Sequence, residues 1–300
     1  MKKIILGVIG NGNHFKKNIY PSIRKIQNIY LKKIYERDKS KEFFSSKFDI
    51  VYIASDTGSH FKFILKCLKN NINVMCEKPL AININEKNIL TKLATKKNLL
   101  LFECMMYKYH KVFNFLKKKI KQNKISYIYS SFKIPPLDNL NFRYKKNNGG
   151  FFWDTAIYPL SLESFLINDK NNSHINSSII NDRDLTLRGN IIIKSKKLQR
   201  IYKWGENQKY ENNIEIIMKN KTFFINKFFL KKKNEVIIFE VFEKLKIKKY
   251  KFKDDHFLNM FKHVIKNYNS KKFKKNSIKE INNHFNLCYR TLKNSKIISI

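Results

Sequence analysis

Over the first 120 residues, short apolar runs alternate with segments whose apolar positions recur at helical spacing. "KIILGVIG" leads into a helical stretch over 14–27. It is followed by "LKKIY", "DIVYIAS", a helix over 59–70, "NVMCE", a helix over 85–97, and "LLLFEC". Unbroken apolar runs joined by helical crossovers predict parallel strands in a doubly wound sheet. After residue 125 the pattern changes. "ISYIYSSFKI", "LTLRGNIIIKS", "QRIYKW", "NIEIIMKN", "KTFFINKFFL", "VIIFEVFEKL" and "KIKKYKF" follow one another with Lys-Asn and Gly-Asn turns between them, which predicts a largely antiparallel sheet. Helices over 256–268 and 277–295 close the chain, and there is no internal repeat or Pro/Ser-rich linker.

With 300 residues, 43% of them hydrophobic, the chain can bury two cores. The apolar run after the basic start breaks at Gly10. It is far shorter than the roughly 20 residues of a membrane span, so a soluble cytoplasmic protein is expected. Cys67, Cys76, Cys104 and Cys288 are scattered without a CxxC pair, as expected of free thiols in a reducing compartment. The histidines show no grouping that suggests a metal.

The formal charge is +39, which raises nucleic-acid binding. Against it, only seven of the 62 basic residues are Arg, the side chain that reads phosphate and base edges bidentately. The lysines are spread along the whole chain beside abundant Asn, Ile and Phe, which is a compositional bias rather than a basic stripe. Nucleic acid is therefore the weaker reading, while steering of anionic small substrates stands.

The first strand ends in "GVIGNGNHF". Gly10 and Gly12 occupy the first two positions of a Gly-x-Gly-x-x-Gly dinucleotide loop, one for the tight turn and one for close approach of a pyrophosphate over the helix N-terminus. Phe15 stands where the third glycine belongs. Asn13 and His14 open the helix and join the candidate cofactor-binding set. Glu36 ends the second strand and could accept from ribose hydroxyls, whereas Arg37 beside it could pair with a 2'-phosphate. Both NAD and NADP remain open.

"VMCEKPLA", after "DIVYIASDTGSHF", resembles the Gfo/Idh/MocA family of glucose-fructose oxidoreductase, inositol dehydrogenase and their relatives. "SDTGSH" is similar to that family's Thr-Pro-Asn-x-x-His loop, with Asp56 for the proline. "FECMMYKYH" is similar to its Glu-Ala-x-Met-Tyr-Arg-x-His segment. "GGFFWDTAIYPLSLESFL" is similar to its Gly-Gly-x-x-x-Asp-x-Gly-x-His helix. The resemblance implies a Rossmann domain over 1–120 and an α+β substrate and oligomerisation domain over 121–300, with an open, mostly antiparallel sheet. The last helices could pack back on the Rossmann domain. Between "YERD" and "FDIVYIAS" about a dozen residues replace the family's extra helix and strand, so one edge strand is expected to be missing and the adenine pocket loosened.

The resemblance implies that Glu77 and Lys78 lie beside a nicotinamide, with Ser55 and His60 in the cofactor loop. Lys78 becomes a candidate catalytic residue that steadies an oxyanion, and Pro79 fixes the turn after it. Tyr158 stands where the family has a catalytic His, as in its tyrosine-bearing branches, and is the candidate general acid/base. Asp154, one turn earlier, would orient a substrate hydroxyl or the Lys. Tyr107 and His110 would line the site or pack between domains.

The expected activity is NAD(P)-dependent oxidation or reduction at a secondary alcohol or ketone of a sugar, sugar nucleotide or polyol, in a homo-oligomer, dimer or tetramer, with no metal and no membrane. The rival is a catalytically inactive dinucleotide-binding scaffold or sensor, motivated by Phe15, the lost strand and the Tyr-for-His exchange.

Overall fold

The computed structural model describes residues 3–36, 39–120, 125–167, 173–232 and 235–300. The chain falls into two compact units, one of Met1–Met106 and Asp255–Phe285, the other of Tyr107–Asp254 and Asn286–Ile300. Among the described residues no helix is long and apolar enough to cross a membrane.

In the first unit β1 (Ile4–Ile9), β2 (Ile29–Ile34), β3 (Ile50–Ile53), β4 (Asn73–Glu77) and β5 (Leu101–Cys104) form a parallel sheet in the order β2-β1-β3-β4-β5. Every residue of β3 and β5 is buried, as a sheet covered on both faces requires. A π-type turn, Phe15–Ile19, leads into α1 (Tyr20–Ile23), and α2 (Ser40–Ser45), α3 (Thr57–Lys69) and α4 (Ile84–Lys96) follow. Asn83 caps α4 by accepting from the Glu86 amide at 2.9 Å, while the Glu86 carboxylate reaches back to the Ile82 amide. Left-handed Asn71 and Asn98 follow the ends of α3 and α4.

The expected loss of an edge strand is observed, since β2 ends the sheet and only the short α2 connects it to β3. An aromatic cluster fills this edge of the sheet. Phe43, Phe44 and Phe63 surround Tyr35 with ring centroids 5.1 to 6.1 Å away, and Phe48 packs on Phe43 at 4.7 Å. A Cβ on Gly7 would lie 2.9 Å from the Phe48 ring, so the small residue in β1 makes room for this aromatic plug.

The second unit begins with α5 (Lys111–Ile120) and β6 (Ile125–Ile134). A π-type turn, Phe152–Ala156, then runs into α6 (Ile157–Phe165). β7 (His174–Asp182), β8 (Leu185–Lys194), β9 (Gln199–Glu206), β10 (Glu211–Met218), β11 (Lys221–Asn226), β12 (Val236–Glu243), β13 (Lys246–Lys253) and β14 (Ser295–Ser299) complete a nine-stranded sheet. Its order is β13-β12-β11-β10-β6-β9-β8-β7-β14. The sheet is mostly antiparallel, with parallel pairs only at β6–β9 and β7–β14. The sequence pattern had not marked α5, β7 or β14. α5 ends in three lysines, β7 is interrupted by Asn and Ser, and β14 follows directly on a long helix. α5 is pinned by Phe115, whose ring lies 5.0 to 5.2 Å from Phe239, Tyr250 and Phe252.

Two further helices, α7 (His256–Asn267) and α8 (Lys271–Lys293), follow β13. Within the first unit, Asp255 caps α7 by accepting from the Leu258 amide, and it also accepts from the Ser22 hydroxyl at 3.1 Å. Phe261 of α7 packs 5.4 Å from Tyr52, and His256 is buried with its ring 4.1 Å from that of Phe257. All four cysteines are free and buried.

Candidate functional site

β1 ends at Gly10, whose φ of +103° places it where side chains are disfavoured, and a Cβ there would sit 2.4 Å from the Ala54 carbonyl carbon. Gly12 is different, because a Cβ built on it meets nothing within 4 Å. Gly10 thus lets two loops touch, and Gly12 leaves its backbone open to a ligand. Phe15 is accommodated without the third glycine. The helix opens as a wider π-type turn, and the ring is buried between Tyr20 and Tyr52 at 5.9 and 6.4 Å. A pocket of about 720 Å³ opens here, with Gly10, Gly12, Tyr35, Ser55, Ser59 and Lys62 in its wall. It lies at the C-terminal ends of β1 and β3, where the strand order reverses and where open α/β sheets bind dinucleotides. The residues present suit such a ligand, with an open glycine backbone ahead of a helix and paired hydroxyls at Ser55 and Ser59, 2.7 Å apart.

Next in the sheet, β4 ends in Glu77, followed by half-buried Lys78 and a cis Lys78–Pro79 bond. Four side chains hold this segment in place. The Tyr52 hydroxyl donates to Glu77 Oε1 at 2.7 Å, and His14 Nε2 lies 3.3 Å from the same oxygen. Burial alone would raise the Glu77 carboxyl, but His14, the Tyr52 hydroxyl and Lys78 outweigh it and hold the group below its ordinary value. His60 is almost wholly buried, with Nδ1 2.8 Å from the Pro79 carbonyl and Nε2 3.1 Å from the Ser55 carbonyl. Burial lowers its pKa despite these carbonyls. Glu103 of β5 accepts from the Leu80 amide at 2.9 Å and faces His284 at 3.4 Å.

In the second unit Asp154 lies in the π-type turn and Tyr158 in the first turn of α6. Arg143, on a short 3-10 turn eleven residues earlier, donates from Nε to Asp154 Oδ2 at 2.5 Å and from Nη2 to Oδ1 at 3.4 Å. Asn141 caps that turn and also accepts from Arg143 Nη1, so the guanidinium is held from both sides. Tyr158 is buried, with its ring 4.7 Å from Phe132, 5.6 Å from Phe229 and 6.2 Å from Tyr107.

The structure gathers Gly10, Gly12 and Ser55 in one pocket wall and joins His14 to Glu77, with Asn13 exposed at the helix start. His60 braces two loops from beneath rather than lining the pocket. Glu36 is not in the pocket wall either. It is 63% exposed and pairs with Lys39 at 3.1 Å, because β2 is the sheet's edge and its end faces solvent. Arg37 lies outside the described residues. Tyr107 and His110 are buried in the second unit. The Tyr107 hydroxyl is 2.5 Å from Ser161 Oγ, and His110 Nδ1 is 3.2 Å from Asp254. Sequence reasoning had not singled out Tyr52, Lys62, Glu103 or Arg143. Only Glu103 had a signal, its place in the "FECMMYKYH" segment. Among the described residues no group of His, Cys, Asp and Glu is arranged to hold a metal ion.

The five-stranded parallel sheet, the glycine loop and the braced Glu77-Lys78-Pro79 turn define a Rossmann-type fold. Residues 36–104 match the family model described as "Oxidoreductase family, NAD-binding Rossmann fold". Over these residues the chain is similar to the Gfo/Idh/MocA oxidoreductases. It is 24% identical over 218 residues to dTDP-3,4-didehydro-2,6-dideoxy-alpha-D-glucose 3-reductase of Saccharopolyspora spinosa, which covers 65% of this chain and 66% of that one. It is 23% identical over 151 residues to myo-inositol 2-dehydrogenase of Thermotoga maritima, 48% of this chain and 43% of that one. The matches thus span less than two thirds of either relative's length. A solved structure of KijD10, a 3-ketoreductase from Actinomadura kijaniata in complex with NADP and TDP-benzene, superposes over 100% of both chains with a TM-score of 0.90 at 18% identity, a likeness of fold.

Proposed function

We propose that this protein is an NAD(P)-dependent oxidoreductase that interconverts a secondary alcohol and a ketone on a sugar, with a sugar nucleotide as the favoured substrate. The observation that carries this reading is the convergence of the open Gly12 backbone with the braced Glu77-Lys78-Pro79 turn at one end of the same sheet. The name of the Saccharopolyspora spinosa relative, a reductase of a dTDP-linked sugar, supports the substrate class.

A bound nicotinamide supplies or accepts the hydride. The Gly12 backbone and the helix start after it receive the diphosphate. Lys78 holds the reacting oxygen and stabilises the negative charge that builds on it. Tyr158 donates a proton to that oxygen in reduction and accepts one in oxidation. A free phenol titrates near pH 10, so this role relies on the ammonium of Lys78 acting on the same oxygen to favour the phenolate. Asp154, fixed by Arg143, accepts from a neighbouring substrate hydroxyl and sets which carbon is presented. The rings around Tyr158 keep water from its hydroxyl. Self-association into a dimer or tetramer belongs to the same proposal and is read by light scattering.

The test is absorbance of the reduced nicotinamide against sugars, polyols and nucleotide sugars. Turnover with one class, reduced by on the order of 10²-fold or more in Lys78→Ala and Tyr158→Phe with dinucleotide affinity retained, supports the assignment. Dinucleotide binding without turnover on any of them would replace it with a non-catalytic sensor.

A further inference from the structure

The pocket at the ends of β1 and β3 carries information about which dinucleotide it takes. Where a site favours NAD, an acidic side chain at the end of the second strand accepts from both ribose hydroxyls and repels a phosphate at the 2' position. Here that side chain, Glu36, is turned to Lys39 in solvent and is absent from the pocket wall.

The wall instead contains Tyr35, immobilised by three phenylalanine rings, and Lys62 on the second turn of α3. Ser59 stands one turn before Lys62 on the same face of the helix, its hydroxyl donating to Ser55 Oγ at 2.7 Å. Three other lysines around this end of the sheet are already engaged. Lys33 pairs with Glu42, Lys39 pairs with Glu36, and Lys66 donates to Ser40 Oγ and covers the Phe44 ring at 4.1 Å. Lys62 makes no hydrogen bond, ion pair or ring contact among the described residues, although it lines the pocket. The acidic member of the wall, Asp56, precedes α3 as its N-cap residue, and its Oδ1 takes the Ser59 hydroxyl at 3.3 Å. It stands six residues from Lys62 in the same wall, with the Ser59 hydroxyl between them in sequence.

We propose that Lys62 is the counter-charge for a 2'-phosphate on the adenosine ribose, so that this pocket selects NADP over NAD. This rests on the reading above that the chain binds a nicotinamide dinucleotide. Tyr35 offers a flat, fixed surface beside the nucleoside, Ser55 and Ser59 offer hydroxyls, and among the described residues of the pocket wall Lys62 supplies the one full positive charge. An ammonium suits a phosphate that is approached from solvent and requires no bidentate geometry.

The test is equilibrium binding on the full chain, by calorimetry or by fluorescence of the reduced dinucleotide. NADPH is expected to bind at least about tenfold tighter than NADH, with 2',5'-ADP competing better than 5'-AMP. Lys62→Ala should lose about tenfold in NADPH affinity and leave NADH within about twofold, and Lys62→Glu should reverse the preference. Glu36→Ala should leave the ratio unchanged. Raised salt should weaken NADPH more than NADH. Lys62 is exposed, so an unaltered melting curve confirms that the variants are folded. Equal loss of both dinucleotides in Lys62→Ala, an NADPH affinity indifferent to it, or a shift toward NADPH in Glu36→Ala overturns this inference while leaving the oxidoreductase reading intact. A wild-type chain that binds neither dinucleotide overturns both.

Discussion

Arg143 grips Asp154 with two guanidinium nitrogens, at 2.5 and 3.4 Å, across an irregular loop of the second unit. The carboxylate is mostly buried, its side chain 13% exposed, so the pair fixes its direction and leaves little freedom to rotate. Removing the Arg leaves a half-desolvated charge. Arg143→Ala should therefore cost about 2 kcal/mol of stability. It should lower kcat/KM for substrate about tenfold or more without changing dinucleotide affinity. Arg143→Lys should recover stability better than kcat/KM, because an ammonium restores the charge and not the fork. Steady-state kinetics alongside urea unfolding separates the two effects, and an equal recovery of both would argue that Arg143 serves the fold alone.

The two glycines of the first loop should fail in different ways. Gly10→Ala places a Cβ against the Ala54 backbone at positive φ, and it should destabilise the chain by about 2 kcal/mol or more. Gly12→Ala meets open space and should leave the melting temperature nearly unchanged while weakening dinucleotide binding about tenfold. Calorimetry of both variants, with and without NADPH, distinguishes a structural from a ligand-facing glycine. A Gly12→Ala variant with intact binding would remove the pyrophosphate from this loop.

Asp254 should govern acid stability. His110 Nδ1, the Lys111 amide and Lys231 converge on it, and although burial alone would raise its pKa, these partners bring the carboxyl from 3.8 down to about 2. With the folded value below the unfolded one, the stabilisation is complete above the ordinary value and is lost as pH falls from about 4 through 2. At neutral pH it contributes about 2 kcal/mol. Asp254→Asn should lower the urea midpoint at pH 7, and the gap to the wild type should close toward pH 2–3. A gap independent of pH would show that packing, and not the charge, accounts for the loss.

Tyr52→Phe should remove one donor from buried Glu77 while keeping the ring beneath α7. The expected cost is about 1 kcal/mol, since His14 still faces the carboxylate. Because Glu77 leads directly into Lys78, turnover should fall more than dinucleotide affinity. Unchanged turnover would mean that the turn is held by His60 and Glu103 without Tyr52.

The chain's sequence by itself determined the two classes of sheet, the shortened β2–β3 connection, the glycine loop and the positions of Lys78, Asp154 and Tyr158. Each of these depends on local periodicity or on a motif of fixed spacing, which a linear chain records directly. The tertiary structure decided what those residues touch. Glu103 reaches Leu80 across 23 positions and Asp255 reaches Ser22 across 233, and no spacing rule links such partners. It also decided that Glu36, though correctly placed after a strand, faces solvent and not the pocket, and that Lys62, one exposed lysine among many, lines the pocket. Side-chain direction at a sheet edge depends on what covers that edge, here an aromatic plug around Tyr35. That plug exists only once α2, α3 and β2 have been brought together, because only then is apolar surface from distant segments withdrawn from water at one place.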